Sequence, residues 1–329
     1  MKPLVLNTLL ALLALALFLA SLGVGPAELG LSESLAGLFA GGSEAAEIIM
    51  REIRLPRALL GLAIGFTLGI SGAVLQGFLR NPLAEPGIVG VSAMAAFCAV
   101  AVFYSGLAGS SLYALPAGAL VGALAAVLIL MALAARSGST LTLILAGVAL
   151  SSLSGALTSL VLNLSPNPFA SYEIIFWLLG SLKDRSMEHV VLALPLMAAG
   201  WLLIALSGRA IDALSLGEEA AQSLGIHMAR TRLLIIAGVA LCVGAATAVA
   251  GTIGFVGLVV PHLIRPLTNR MPSVLLLPAG LGGAGLLLAA DIAARLVLPA
   301  GELNVGVLTA LIGAPFFLWL VVRSRREAF

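Results

Sequence analysis

Charge is what this chain lacks most. Only 10% of its 329 residues are Asp, Glu, Lys or Arg, against about 25% in an ordinary soluble domain. Hydrophobic residues make up 61%, and the mean hydropathy is +1.15. No water-facing surface of usual composition can be made from this, so lipid is the solvent for most of the chain. Lysine is nearly absent: there are only Lys2 and Lys183, and neither follows a glycine loop. That excludes a G-x-x-x-x-G-K-[ST] phosphate cradle, and with it ATP hydrolysis on this chain by that device. His189, His227 and His262 are scattered, and no His/Cys/Glu spacing suits a metal, so no metal site and no resident cofactor is expected. Cys98 and Cys242 lie inside apolar runs and read as small packing residues. With a net charge of +2 and no basic block interleaved with aromatics, nucleic acid is excluded as a partner. No His-Glu metal motif or Ser/His pair supports an intramembrane enzyme, so no catalytic residue is assigned.

What the chain does have is apolar runs. A bilayer crossing takes roughly 20 apolar residues. Candidate spans fall at about 4–22, 57–78, 88–106, 112–135, 141–164, 190–207, 233–251, 255–267, 273–297 and 305–322. The expectation is an all-α polytopic membrane protein of about ten transmembrane helices, one domain over 1–329. The run at 4–22 is read as an uncleaved first helix, because it is closer to a span than to a signal-peptide core. With the N-terminus inside, Lys2, Arg80, Arg136, Arg209, Arg230, Arg232, Arg265, Arg270, Arg323, Arg325 and Arg326 are cytoplasmic. Six basic residues, Arg51, Arg54, Arg57, Lys183, Arg185 and Arg295, are then outside. The bias of basic residues supports this orientation, with both termini cytoplasmic.

Two stretches resemble each other: "GISGAVLQGFLRNPLAEPGIVGVS" (69–92) and "VGAATAVAGTIGFVGLVVPHLIR" (243–265). Each is a span of small residues, a Gly/Pro-rich break and another span, and the two run in opposite directions. Two readings stand: an inverted repeat of the transporter kind, or small residues that merely let helices pack closely. Residues 23–56 and 165–189 are less apolar and read as short helices on the external face. Ionisable groups within spans usually mark ion-coupled carriers. Here the clearest is Asp291, four residues before Arg295, a favourable i,i+4 pair.

The stretch "LGEEAAQSLGI" (216–226), within a cytoplasmic segment at about 208–232, is unlike its surroundings. Leu216, Ala220, Ala221 and Leu224 recur at helical spacing, with the acids on another face. So short a helix needs something to pack against. Bilayer-surface helices favour Lys and Arg over Glu218 and Glu219, so a cytoplasmic protein, and in a chain without its own ATPase a separate ATPase, is the natural partner.

These motifs, with "RLPRALLG" (54–61), "RNPLAEPGIVGVS" (80–92), "LILAGVAL" (143–150), "FWLLGSL" (176–182), "GTIGFVGLVVPHLIR" (251–265), "AADIAAR" (289–295) and "GELNVGVLTALIGAPFFLWL" (301–320), resemble the permease subunits of binding-protein-dependent ABC importers for iron chelates, haem and vitamin B12, the FecCD-type permeases. The resemblance covers about residues 50–322. It implies an inverted-repeat type II ABC importer permease in a bacterial or archaeal cytoplasmic (inner) membrane. The implied assembly is a homodimer with a central pathway, two ATPase subunits beneath it carrying ATP and Mg, and a soluble or lipid-anchored substrate-binding protein docking from outside. It implies docking roles for Arg54, Arg57 and Arg295. Coupling to the ATPase falls to Leu216, Gly217, Glu218, Glu219, Ala221, Leu224 and Gly225, and gate positions to Asn81, Leu83, Thr140 and Leu141. The expected cargo is an iron chelate, siderophore or haem, with vitamin B12 or another cobamide as the alternative. An ion-gradient-driven secondary carrier is the alternative of another class. Relatives usually read E-L-P-V-G near the last span, where this chain has Asn304 in place of the proline and keeps Glu302 and Gly306. They often carry Asp-His-Arg after the broken helix, where only Arg270 remains in "NRMPS" (269–273).

Overall fold

The computed structural model describes every residue except 1, 26, 28, 40, 110, 112, 138–139, 166–167, 270, 298–302 and 327–329. α1 (Pro3–Gly23) is followed by two short helices, α2 (Leu31–Leu38) and α3 (Glu44–Ile48). Through a π-turn at Ile49–Arg54, α3 runs into α4 (Leu55–Phe78), and a break holding a 3-10 turn at Pro86–Val89 leads to α5 (Val91–Tyr104). Then come α6 (Ala114–Ser137), α7 (Thr140–Leu164), the short α8 (Pro168–Leu178) and α9 (Met187–Leu206). Two short helices, α10 (Gly208–Leu214) and α11 (Glu218–Ser223), precede α12 (Met228–Ala250). A second break precedes the nine-residue α13 (Val256–Ile264), and α14 (Pro272–Leu296) and α15 (Val305–Arg326) complete the bundle. Among the described residues there is no strand.

Backbone polar groups in hydrocarbon must be satisfied within the segment, which is why a chain this apolar folds as helices. Proline opens α1, α4 and α14 at the first turn, where its missing N–H costs nothing. Among the described residues, seven helices are long and apolar enough to cross a membrane, and three shorter apolar ones lie at Val91–Tyr104, Val256–Leu267 and Val305–Leu320. Each of the ten expected runs falls on one of these helices. The two short half-helices, α5 and α13, follow the two Gly/Pro-rich breaks.

The bundle is built around α4, which packs along α14 and touches α13, α9 and α12. Its most apolar window is 83% buried, against 17% for α1 and α7. Glycine permits this centre. A Cβ on Gly65 would overlap the carbonyl of Gly283 on α14, and one on Gly72 would overlap the carbonyl of Gly257 on α13. Any side chain at these points would force the backbones apart, the small-residue logic of membrane helix packing.

Candidate functional site

Three arrangements carry the polar chemistry: one around Asp291, one where the two breaks meet and one at the short helices α10 and α11.

At the end of the bundle where α4 begins and α14 ends, Arg54, Arg57 and Arg295 converge from the π-turn, α4 and α14. Arg54 is 3% exposed and donates to the carbonyls of Leu22 (2.9 Å), Gly23 (3.3 Å) and Ala27 (2.6 Å). Arg57 grips Asp291 with Nε and Nη2, at 3.0 and 2.9 Å to Oδ1. Arg295 holds the other oxygen of Asp291 at 2.5 Å and also donates to Ser21 O, Ser21 Oγ and Val24 O. The i,i+4 pair read from the sequence is present, with Arg57 as an unforeseen third member. Expected as outward-facing charge, these arginines instead spend their donors on α1, its following segment and Asp291. The reason is geometric: the π-turn widens the helix just before α4 and turns Arg54 onto the carbonyls left open at the end of α1. A cavity of about 330 Å³ lies beside them, lined also by Glu52, Lys183 and Arg185. Lys183 is exposed there. Burial holds the Arg185 guanidinium below its ordinary pKa, opposed by the charge of neighbouring Asp184.

In the middle, the two breaks meet against α4. Gln76 of α4 accepts from Arg265 Nη2 at 2.7 Å, and its Nε2 faces the carbonyls of Ala84 (3.4 Å), Gly257 (3.5 Å) and Leu258 (3.4 Å). Glu85, from the first break, accepts the backbone N–H of Phe255 in the second at 2.5 Å. Phe255 precedes α13 with φ +67°, a left-handed conformation uncommon for a bulky residue. A cavity of about 210 Å³ sits at this junction, lined by Leu68, Glu85, Ser92, Thr252, Phe255 and Gly257 among others. A wider one of about 550 Å³ shares Thr252, Gly254 and Phe255 and reaches Gly306 and Pro315 of α15. The outer end of the second break is anchored by Thr252 Oγ1 to Leu178 O and by Ser181 N to Ala250 O at 2.8 Å. Asn304 donates to Phe176 O at 3.3 Å, so the residue that replaces the usual proline ties the start of α15 to α8.

Of the expected gate positions, Asn81 is exposed and its Oδ1 accepts from Leu83 N at 2.9 Å. That side-chain turn shapes the segment leading to Glu85. Thr140 and Leu141 open α7, but their side chains lie outside the described residues, as do Arg270 and Glu302.

At the opposite end of the bundle, α10 and α11 form a knob. Asp212 Oδ1 accepts from Ser273 N at 2.9 Å and Oδ2 from Ser273 Oγ at 2.5 Å, fixing α10 to the start of α14. Arg232 of α12 pairs with Glu218 at 2.5 Å. Leu216 is 70% and Leu224 64% exposed, and Glu219 and Gly225 are exposed beside them. Ala221, grouped with the coupling residues from the sequence, is fully buried and packs inward. Gly217 and Gly225, both at positive φ, bracket the helix as expected.

In the sequence Glu85 is visible as a polar residue that, with Asn81, flanks Pro82 in the first break; its tie to Phe255 N in the second break is not.

The profile of the FecCD transport family matches residues 12–323. The chain is 43% identical over 284 residues to the cobalamin import system permease protein of Halobacterium salinarum, covering 84% of this chain and 74% of that one. It is 39% identical over 283 residues to the hemin transport system permease protein of Yersinia pestis, covering 85% and 84%. A solved structure described as an inward-facing conformation of a putative metal-chelate type ABC transporter superposes with a TM-score of 0.86 at 34% identity, over 96% of this chain and 98% of that one.

Proposed function

We propose, starting from the fact that this chain belongs to the FecCD transport family of ABC importer permeases, that it passes a bulky metal chelate into the cell, an iron chelate first among them. It is a transport component and not an enzyme. The cargo is delivered outside by a substrate-binding protein, and the energy comes from ATP and Mg on a separate ATPase. The working unit is a homodimer with two ATPase subunits, surrounded by lipid in the cytoplasmic membrane of a bacterium or archaeon, both termini inside.

The observation that carries this reading is the knob of α10 and α11. Leucines more than half exposed among the acids of a polar projection, in a chain with no phosphate-binding loop, suit contact with another protein. Leu216, Glu219, Leu224 and Gly225 make the contact, while Ala221, Gly217 and the Glu218–Arg232 pair hold the knob in shape. Asn81, Leu83, Thr140 and Leu141 act as the gate. Outside, Arg54, Arg57 and Arg295 serve docking by fixing the surface from which Lys183 and Arg185 present positive charge. A corrinoid cargo is the second reading, supported by relatives described as cobalamin or vitamin B12 import permeases at 42–43% identity.

The test is to co-express the chain with candidate ATPase and substrate-binding subunits from the same organism, reconstitute the complex in liposomes and identify the ligand carried by the binding protein. ATP-dependent uptake of an iron chelate is expected. Uptake of a corrinoid selects the second reading, and uptake driven by an ion gradient without ATP overturns both.

A further inference from the structure

The first break carries the gate segment, and the second carries the start of α13. Nothing in the chain sequence requires them to be joined, since Glu85 and Phe255 are 170 residues apart. The structure joins them twice, at Gln76 and at Glu85. The two clamps use different groups. Gln76 reaches three carbonyls at 3.4–3.5 Å, long contacts, and also accepts from Arg265 Nη2 at 2.7 Å in the turn after α13. Glu85 is the group that bonds the backbone at the start of α13, accepting from one N–H, and a carboxylate acceptor makes such a bond stronger and more directional. The group it satisfies is the N–H of Phe255, the residue that caps the start of α13, where donors have no partner within the helix and the helix dipole favours a carboxylate. At the closest approach of α4 and α13, Gly72 meets the backbone of Gly257, so no side chain interlocks the two helices at that point. A Cβ on Gly257 would meet Pro86, the residue after Glu85. An acid at this depth is expensive unless it serves a purpose.

We propose that Glu85 is a positioning residue for transport: by capping the Phe255 N–H it ties the first break to α13, so that the gate segment carrying Asn81 and Leu83 shifts only when α13 shifts with it. This rests on the reading of the chain as an importer permease. The bond holds the gate closed between cycles, and the left-handed turn at Phe255 is the joint that it braces.

The experiment uses the complex with its ATPase in inside-out vesicles. Cys98 and Cys242 are replaced by Ala, and Leu83→Cys is labelled with a membrane-impermeant maleimide. Glu85→Met keeps the bulk of the side chain and removes the acceptor; Glu85→Gln keeps the acceptor. Labelling without nucleotide is expected to rise roughly tenfold in Glu85→Met, the scale of one lost buried charge-assisted bond. It should stay within about threefold of the parent in Glu85→Gln, and ATP hydrolysed per cargo imported should rise in the Met variant alone. Equal labelling in all three, or Gln behaving like Met, overturns the proposal. If Glu85→Met fails to assemble, hydrogen exchange at Phe255 in the unaltered complex decides: a protected amide supports the cap, and a freely exchanging one overturns it. Failure of the unaltered complex to import any cargo would instead refute the permease reading, and is separable because labelling needs no cargo.

Discussion

The arginine cluster and the α10–α11 knob use similar residues in opposite ways. In the cluster, Asp291 is 1% exposed and is held by Arg57 and Arg295, whose side chains are 9% and 4% exposed. In the knob, Glu218 remains a third exposed beside Arg232, and two leucines stand clear of the bundle. The charges of the cluster are closed on the protein itself, tying α1, α4 and α14 together. The knob leaves two apolar side chains standing among acids. Charges closed on the protein act as scaffold, and apolar side chains on a polar projection suit a partner. The same contrast orders what mutations should do.

The largest effect is expected at Asp291. Asp291→Ala strands two buried arginines, and breaking a buried ionic network from one side costs about 3–5 kcal/mol. Thermal unfolding of the detergent-solubilised protein should show a strongly lowered midpoint and little of the protein should reach the membrane. An unchanged midpoint would mean that the outer cluster is not scaffold and would erase the contrast. Next comes the knob. Leu216→Asp with Leu224→Asp leaves the bundle untouched but places two charges at a docking surface, where anchoring residues typically carry about 2 kcal/mol or more. The ATPase should no longer co-purify while the chain inserts and melts normally. Retention of the ATPase would show that the exposed leucines are idle.

A smaller effect is expected at Glu218. Its pair with Arg232 is partly solvated, and such pairs contribute about 0.2–1 kcal/mol. Glu218→Gln should lower ATPase affinity only a few-fold, because α10 stays pinned by Asp212 to Ser273. A loss as complete as that of the leucine double variant would place Glu218 in the interface itself.

The sequence made the bundle readable because bilayer thickness sets a fixed length for apolar runs, and each expected run became a helix. The knob was readable because its composition departs abruptly from its neighbours. The arginines were picked out by motif, but their direction was not. Arg54 bonds to carbonyls 27 to 32 residues away and Arg57 to an acid 234 residues away, partners that no local pattern reveals. The i,i+4 pair of Asp291 and Arg295 was visible for the converse reason, since helical spacing alone brings them together. What the sequence hides about Glu85 is its partner, a backbone N–H in the other break, and a backbone group leaves no mark in composition.

The smallest effect should fall on Lys183, and it sharpens the outer half of the comparison. If Arg54, Arg57 and Arg295 are committed inward, the charge left to meet a binding protein at that cavity comes from exposed Lys183, with Arg185 behind it. A solvated pair of this kind acts on association rate more than on residence time and is screened by salt. Lys183→Glu should therefore slow association of the binding protein with the reconstituted complex by about fivefold at most. The difference should shrink at high salt, with dissociation nearly unchanged. An acid-to-lysine change on the binding protein should restore the rate in part, since it reverses both charges of the pair. Arg57→Lys provides the contrast. It keeps a positive charge but gives up the two-pronged grip on Asp291, which a single ammonium cannot reproduce. Its effect should appear in stability and persist at high salt. Should Arg57→Lys instead alter only the salt-dependent association rate, the arginine would face the partner after all, and the outer cluster would join the knob as a docking surface.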